Sequence, residues 1–315
     1  MSDQPKILVL RGGSKNHSLS ILTGANIVGS LPLYGGDPVD VYIDQEGKWY
    51  KNGLPMEPLH ALATVDAYID TVNQRRREGY HAVAERLGVK RLLHSNQFPF
   101  SLDREMLFRM LAQHGILVPE TMMFRQGDVT HHAKIRDAFT GILAPYIVRS
   151  SRGEEPGIVV STHKDLVIAI NSMTETDDVQ VMHYRDAKTR SIVAIPHYRN
   201  EELYMTLPVE VQVRKYEKPT KEHRLLPLTY LSHEDKKSIL DFTRKVHSAL
   251  LPESLFLLDF ITTKRGHMVT GVTSNPNILN GGRFLESLAT TGTDVAHYAL
   301  MLYLRSVDKK EDAEA

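Results

Sequence analysis

Residues 258–279, LDFITTKRGHMVTGVTSNPNIL, have the layout of a hairpin able to hold a metal ion. One apolar strand carries an acid, Asp259, a turn follows at Lys264-Arg265-Gly266, and a second strand runs into Ser274-Asn275-Pro276-Asn277. Magnesium takes octahedral oxygen ligation and favours carboxylate charge. Two neighbouring strands supply it when each presents an acid or amide to the same side. Here the second strand presents Gly271 and Thr273, so Asp259, Thr273 and the following Asn275 are the candidate metal ligands. One aspartate and a hydroxyl hold a single ion weakly and hardly two.

Other chemistry is thinner. Of the 15 histidines, His131 and His132 are adjacent but lack carboxylates at a supporting spacing. With no cysteine, disulfides, thiolate metal sites and a cysteine nucleophile are excluded. Arg75-Arg76-Arg77 has no interleaved aromatic residue and reads as a solvated face. No dinucleotide fingerprint, Walker-type loop or nucleophile elbow is present.

The elements that position these residues follow from hydrophobic pattern. Residues 6–10 (KILVL) form a buried-strand run broken at Gly12-Gly13, and residues 18–28 have helical spacing with Leu19, Leu22 and Ala25 on one side. Residues 39–43 and 62–71 read as strands, and 80–87 as a helix ended by Gly88. This alternation predicts a doubly wound α/β lobe over residues 1–95. Ser101 caps a helix with Met106, Leu107, Met110 and Leu111 on its apolar face, stopped by Gly115. Residues 145–149 and 158–161 are strands flanking the loop SSRGEEPG, and residues 179–184 and 191–196 are strands of a second sheet. A long helix over 232–251, the hairpin and a closing helix over 294–304 complete the chain, giving a central lobe at 96–178 and a C-terminal lobe at 179–315.

The 315 residues exceed one small core and indicate two or three lobes. Acidic and basic residues balance at 38 each, so no net charge recruits nucleic acid or an anionic membrane. No apolar run approaches the roughly 20 residues that span a bilayer. The first residues lack the pattern of a signal peptide, and a cytoplasmic protein is the expectation.

The order of the pieces resembles the ATP-grasp superfamily, and within it the D-alanine–D-alanine ligases. The resemblance rests on KILVLRGGSKNHSLSILTG, SLDREMLFRMLAQHGILVP, PYIVRSSRGEEPGIVV and the LDF…SNPN hairpin, in order and at the right spacing. It implies an α/β (α+β) three-lobed fold closing over ATP, in which a substrate carboxylate becomes an acyl phosphate that an amine attacks. It also implies ATP and magnesium as cofactors, an amino acid or nucleotide as small-molecule partner, and a homodimer.

At each site the resemblance carries over with substitutions. Where the family has a glutamate anchoring the ammonium of the first D-alanine, this chain has Asn16, which accepts a hydrogen bond without supplying charge. With Ser150 and Ser151 at the mouth of the phosphate loop, it is an expected substrate contact; the plainer alternative is a strand-to-helix turn with a cap. Arg104 and Arg149 stand where the family has two ATP-contacting lysines, marking an altered anion site or two ordinary surface arginines. Glu154, Glu155 and Pro156 enter a loop that should wrap phosphate with backbone donors, which counts against tight ATP binding. Met182, His183 and Tyr184 occupy the nucleotide hinge without its acids, or are simply strand residues; Asp186 is the stand-in for the ribose acid. In the hairpin Asp259 is kept, the family's bridging glutamate is Gly271, its asparagine is Thr273, and the arginine two residues before the aspartate is Leu257. Glu154, Glu201, Glu202 and Glu286 are acids whose place in the fold the sequence leaves open. Two readings follow: a ligase-like protein of low or no activity, serving a protein partner if non-catalytic, or an active carboxylate–amine ligase with rebuilt contacts.

Overall fold

Residues 7–10 are wholly buried because strand β1 (Lys6–Gly12) runs through the middle of a sheet covered on both faces. Side chains alternate along a strand. Leu8 and Leu10 therefore enter one apolar cluster with Val41, Trp49 and Leu62, while Ile7 and Val9 enter another with Ile27 and Leu31. The structure, a computed structural model, describes residues 4–14, 16–72, 78–93, 104–127, 145–150, 157–183, 189–196, 203–212, 224–250, 255–273, 276, 278–279 and 282–314. Gly12 turns the chain after β1 with φ 103°, and a Cβ there would lie 2.1 Å from the Ile43 carbonyl oxygen, so only glycine fits. Helix α1 (His17–Ser30), β2 (Asp37–Ile43), β3 (Trp49–Lys51), β4 (Leu54–Met56), helix α2 (Pro58–Leu62), β5 (Ala67–Asp70), helix α3 (Glu78–Arg86) and β6 (Lys90–Arg91) follow. The sheet order is β4-β3-β2-β1-β5-β6, with β2, β1, β5 and β6 parallel. Helix α1 covers one face, and α2 and α3 the other. This is the doubly wound lobe the sequence predicts.

Two details differ from expectation. Residues 62–71 are not one strand: Pro58 starts the short helix α2, and only Ala67–Asp70 pairs with β1. The apolar side of α1 faces outward, with Leu19, Leu22 and Ala25 exposed, while Ser20, Thr23, Gly24 and Ile27 are buried. Close approach explains the inversion. A Cβ on Gly24 would meet the Arg11 Cβ at 2.6 Å, and the Ser20 hydroxyl accepts the Gly12 N–H at 2.8 Å.

Helix α4 (Arg104–Gln113) buries Leu107, Phe108 and Leu111, leaves Met106 exposed, and is stopped at Gly115 with φ 66°. Strands β7 (Thr121–Phe124), β8 (Tyr146–Ser150), β9 (Ile158–Val160) and β10 (Val179–His183) form an antiparallel sheet in the order β7-β10-β8-β9, backed by helix α5 (His163–Thr174). The expectation that residues 179–184 and 191–196 share a sheet is corrected here. Strand β10 pairs with β7 and β8, whereas β11 (Thr189–Pro196) belongs to a third sheet. That sheet adds β12 (Leu203–Met205), β13 (Val209–Gln212), β14 (Arg224–Pro227), β15 (Phe256–Thr263) and β16 (Gly266–Thr273), in the order β14-β13-β11-β15-β16 with β12 on β11. Helices α6 (His233–Leu250), α7 (Arg283–Ala289) and α8 (Val295–Glu314) complete the described chain. Among the described residues no helix is long and apolar enough to cross a membrane.

Strand β15 is the seam between lobes. Phe256, Leu258 and Phe260 pack with Leu107, Phe108, Ile239 and Val246 of α4 and α6. Leu255 and Leu257 point the other way, into a cluster with Ile7, Val9, Ile278, Phe284 and Tyr298. Asp259 continues that second face where the apolar cluster ends.

Two histidines of this core make stability depend on pH. His247 on α6 stacks on Phe256 with ring centroids 6.1 Å apart, and burial, then Arg305, holds its pKa below the ordinary 6.5. His267 on β16 packs against Phe242 and Phe260, and burial, then Arg190, lowers it likewise. A lowered folded pKa means the unfolded chain binds more protons in the window just below 6.5, so this stability is whole above that pH and lost as pH falls through it. The melting temperature is expected to fall between pH 7.5 and pH 5. The double variant His247→Gln, His267→Gln is expected to fall less, and equal slopes would refute the assignment.

Candidate functional site

The hairpin forms as the sequence requires. Gly266 turns the chain with φ 112°, and the strands run back so that Asp259 lies directly opposite Gly271 and Leu257 opposite Thr273. The register shifts between Asp259 and Phe260. A Cβ built on Gly271 would sit 3.5 Å from Asp259 Oδ2, in ordinary contact. A methyl-sized side chain at this position would thus rest against the carboxylate without a clash.

A cation reaches Asp259 instead of a second acid. Arg283, the first residue of α7, donates from Nη1 to Asp259 Oδ2 at 2.7 Å, and Asp259 is only 14% exposed. A second guanidinium bridges the lobes. Arg149, near the end of β8, donates from Nε to Gln180 Oε1 at 3.0 Å, and from Nη2 to the carbonyl of Thr270, the neighbour of Gly271, at 3.4 Å. Burial first, then the charge of Arg104 at the start of α4, pushes Arg149 down to about 9, with Asp259 pulling the other way. A guanidinium almost never gives up its proton in a protein. The depression therefore registers chiefly the cost of taking this charge out of water, with Arg104 adding to it.

The other expected site residues scatter. Met182 is buried in the core cluster that holds Leu107, Phe108, Phe256 and Leu258. His183 closes β10 opposite Tyr146. The Ser150 hydroxyl donates to the carboxylate of Asp177, on the side of β8 away from Arg149. Asn16 sits at the N-cap of α1 in the left-handed region, with φ 53° and no side-chain capping bond. Thr273 lies two residues past Gly271 on the same strand face. Ser151, Tyr184 and Asn275 lie outside the described residues, as do Glu154, Glu155, Asp186, Glu201 and Glu202. Glu286 is in the first turn of α7.

Sequence reasoning missed Arg283 and Gln180. Arg283 carried a signal, being the sole lysine or arginine between Arg265 and Arg305 and following Gly281-Gly282. Gln180 carried none; it is a wholly buried amide whose value lies in holding Arg149.

Magnesium does not fit these residues. Among the described residues no group of three or more His, Cys, Asp or Glu is placed to hold a metal ion. Asp259 already has a guanidinium at hydrogen-bonding distance, with further positive charge close by. A dication brought there competes with Arg283 for the carboxylate.

No protein-family model matches the chain, and no curated protein sequence matches it either. Solved structures do. VanG D-Ala:D-Ser ligase from Enterococcus faecalis superposes with a TM-score of 0.77 at 15% identity, over 95% of this chain and 99% of that one. D-alanine–D-alanine ligase from Bacillus anthracis, complexed with ATP, gives 0.76 at 15% identity over 98% and 99%. D-alanyl-alanine synthetase A from Vibrio cholerae gives 0.75 at 17% over 96% and 98%. The chain has the ATP-grasp fold of the D-alanine–D-alanine ligases. Identity this low carries the fold, and the site has to be read from the residues themselves. On that fold Leu257 is 4% exposed inside an apolar cluster. Leu257→Arg alone is therefore expected to cost about 2–4 kcal/mol by burying a charge in apolar surroundings. Urea denaturation checks this, and a cost under about 1 kcal/mol would mean that the arginine reaches out to Asp259 instead.

Proposed function

We propose that this is a D-alanine–D-alanine ligase-like protein of low or no ligase activity, carried by one observation: the carboxylate expected to bind magnesium is ion-paired to Arg283 at 2.7 Å, opposite a glycine. Phosphoryl transfer depends on cations that clamp the phosphate oxygens and on precise placement of the acceptor. Here the cations are guanidinium groups, and the phosphate loop carries two acids and a proline. A cytoplasmic homodimer acting through an amino acid, a nucleotide or a protein partner accompanies this proposal. The deciding experiment is D-alanine-dependent phosphate release with ATP and magnesium, together with calorimetric titration of ATP under the same conditions. Absence of both signals supports the reading. Micromolar, magnesium-dependent ATP binding with turnover supports the second reading, an active ligase with rebuilt contacts, which the cationic side chains of Arg104 and Arg149 favour.

A further inference from the structure

We infer that a hollow on the first lobe, beside helix α1, is a binding site for a small molecule that carries a guanidinium group. The hollow measures about 420 Å3, and its lining includes Arg11, Asp40, Tyr42, Asp44 and Tyr50. All five lie on β1, β2, β3 or the turn between β2 and β3, none on the β15–β16 hairpin, so the site stands apart from the proposed ligase chemistry. Strand alternation creates it. Val39, Val41 and Trp49 face the apolar cluster on the α2–α3 side of the sheet, as Leu8 and Leu10 do from β1. Arg11, Asp40, Tyr42 and Tyr50 therefore turn to the α1 side. There α1 packs closely on Arg11 at Gly24, whereas Asp40, Tyr42 and Tyr50 stay partly exposed.

Charge and shape select the ligand. Arg11 and Asp40 satisfy each other through two bonds of 2.7 Å. Asp44 accepts the Lys48 N–H at 2.8 Å and the Tyr50 hydroxyl at 3.2 Å, and among the described residues no cation is ion-paired with it. The charges of Lys48 and Glu46, in the same turn, reach Asp44 and Tyr50 and oppose each other. A carboxylate so placed favours a cationic ligand. Beside it the Tyr42 and Tyr50 rings, with centroids 6.1 Å apart and planes inclined at 38°, form one aromatic wall. Both rings are held at their tips. The Tyr50 hydroxyl donates to Asp44, and the Tyr42 hydroxyl bonds His17 Nε2 at 3.3 Å while His17 Nδ1 donates to the Gly13 carbonyl at 2.7 Å. The wall is therefore preorganised. A guanidinium lays its flat face on tyrosine and keeps its N–H edge for a carboxylate, which a compact ammonium cannot do at once. The volume matches a small-molecule pocket.

The probe is butylguanidinium, titrated into the full chain at constant ionic strength beside butylammonium of equal charge, and followed by calorimetry and saturation-transfer NMR. Butylguanidinium is expected to bind saturably at millimolar concentration, about tenfold or more tighter than butylammonium. Asp44→Asn and Tyr50→Leu should each weaken it about tenfold, whereas Tyr50→Phe, which keeps the ring, should change it less than about threefold. Asp241→Asn, an exposed acid of α6 paired with Arg244, should leave it unchanged. Equal affinity for the two cations, no saturable binding of butylguanidinium, or equal loss in the Asp44 and Asp241 variants would overturn the inference. So would a loss in Tyr50→Phe as large as in Asp44→Asn, because the ring would then contribute nothing. Ligase turnover would instead overturn the proposed function, so the two failures are separable.

Discussion

Mixed with ATP, magnesium and D-alanine, the protein is expected to release no D-alanine-dependent phosphate above the enzyme-free rate. Two preorganised contacts that the resemblance to the ligases implies are not supplied at the matching positions. The charge of a bridging acid is absent at Gly271, and the cation expected two residues before Asp259 is Leu257, packed with Phe284 and Ile278. Losing one such contact typically costs about 3–4 kcal/mol, or roughly two to three decades in rate. Residues that act as a unit do not contribute additively, but two losses of this size already push turnover below detection. Arg283 adds a further obstacle, because it competes with a metal for the Asp259 carboxylate. A coupled assay and direct detection of the dipeptide both check the expectation. Clear turnover would show that acids outside the described residues complete the site.

Much of the architecture was legible because local patterns were unambiguous. A run such as residues 6–10 is compatible with burial on both faces, and it became the central strand. That Asp259 and Gly271 lie on neighbouring antiparallel strands was legible because the two-residue turn Lys264-Arg265 makes a hairpin; their direct pairing was not, since the register shifts by one residue between Asp259 and Phe260. Long-range choices were not. Nothing local tells residues 179–183 to pair with β7 and β8 rather than with β11, since sheet partners are decided by packing across the whole chain. The α1 face was misleading for a related reason: Gly24 and Ser20 permit close contact with β1, and that outweighs the burial of two leucines. One local signal was overlooked, the Asn52-Gly53 pair whose positive φ values of 53° and 78° make the β3–β4 hairpin. The place of Asp259 on a hairpin strand was legible, and its contact with Arg283 was not. A contact across 24 residues of chain depends on where α7 docks, which no spacing rule supplies.

The contact between Arg283 and Asp259 also sets what would restore a metal site. The double variant Gly271→Glu, Arg283→Ser is expected to gain roughly two decades in affinity for manganese or magnesium over the unmodified protein. A Cβ at position 271 has ordinary clearance to Asp259. At an effective dielectric of about 20, two unit charges about 4 Å apart interact by about 4 kcal/mol. Desolvation and screening remove most of that, leaving each change about one decade, or ~1.4 kcal/mol. The single variants should gain less than half of the combined effect in logarithmic terms. In Gly271→Glu alone the new carboxylate pairs with Arg283, and removing Arg283 alone leaves one carboxylate opposite a glycine. Coupling in a double-mutant cycle is therefore the signature, read by manganese paramagnetic resonance or calorimetry. Leu257 is best left in place, because an arginine there trades core stability for a charge the metal does not need. If Gly271→Glu alone gave the full gain, Arg283 would not be the group that excludes the metal. If the double variant gave none, Asp259 would be held by contacts other than this ion pair.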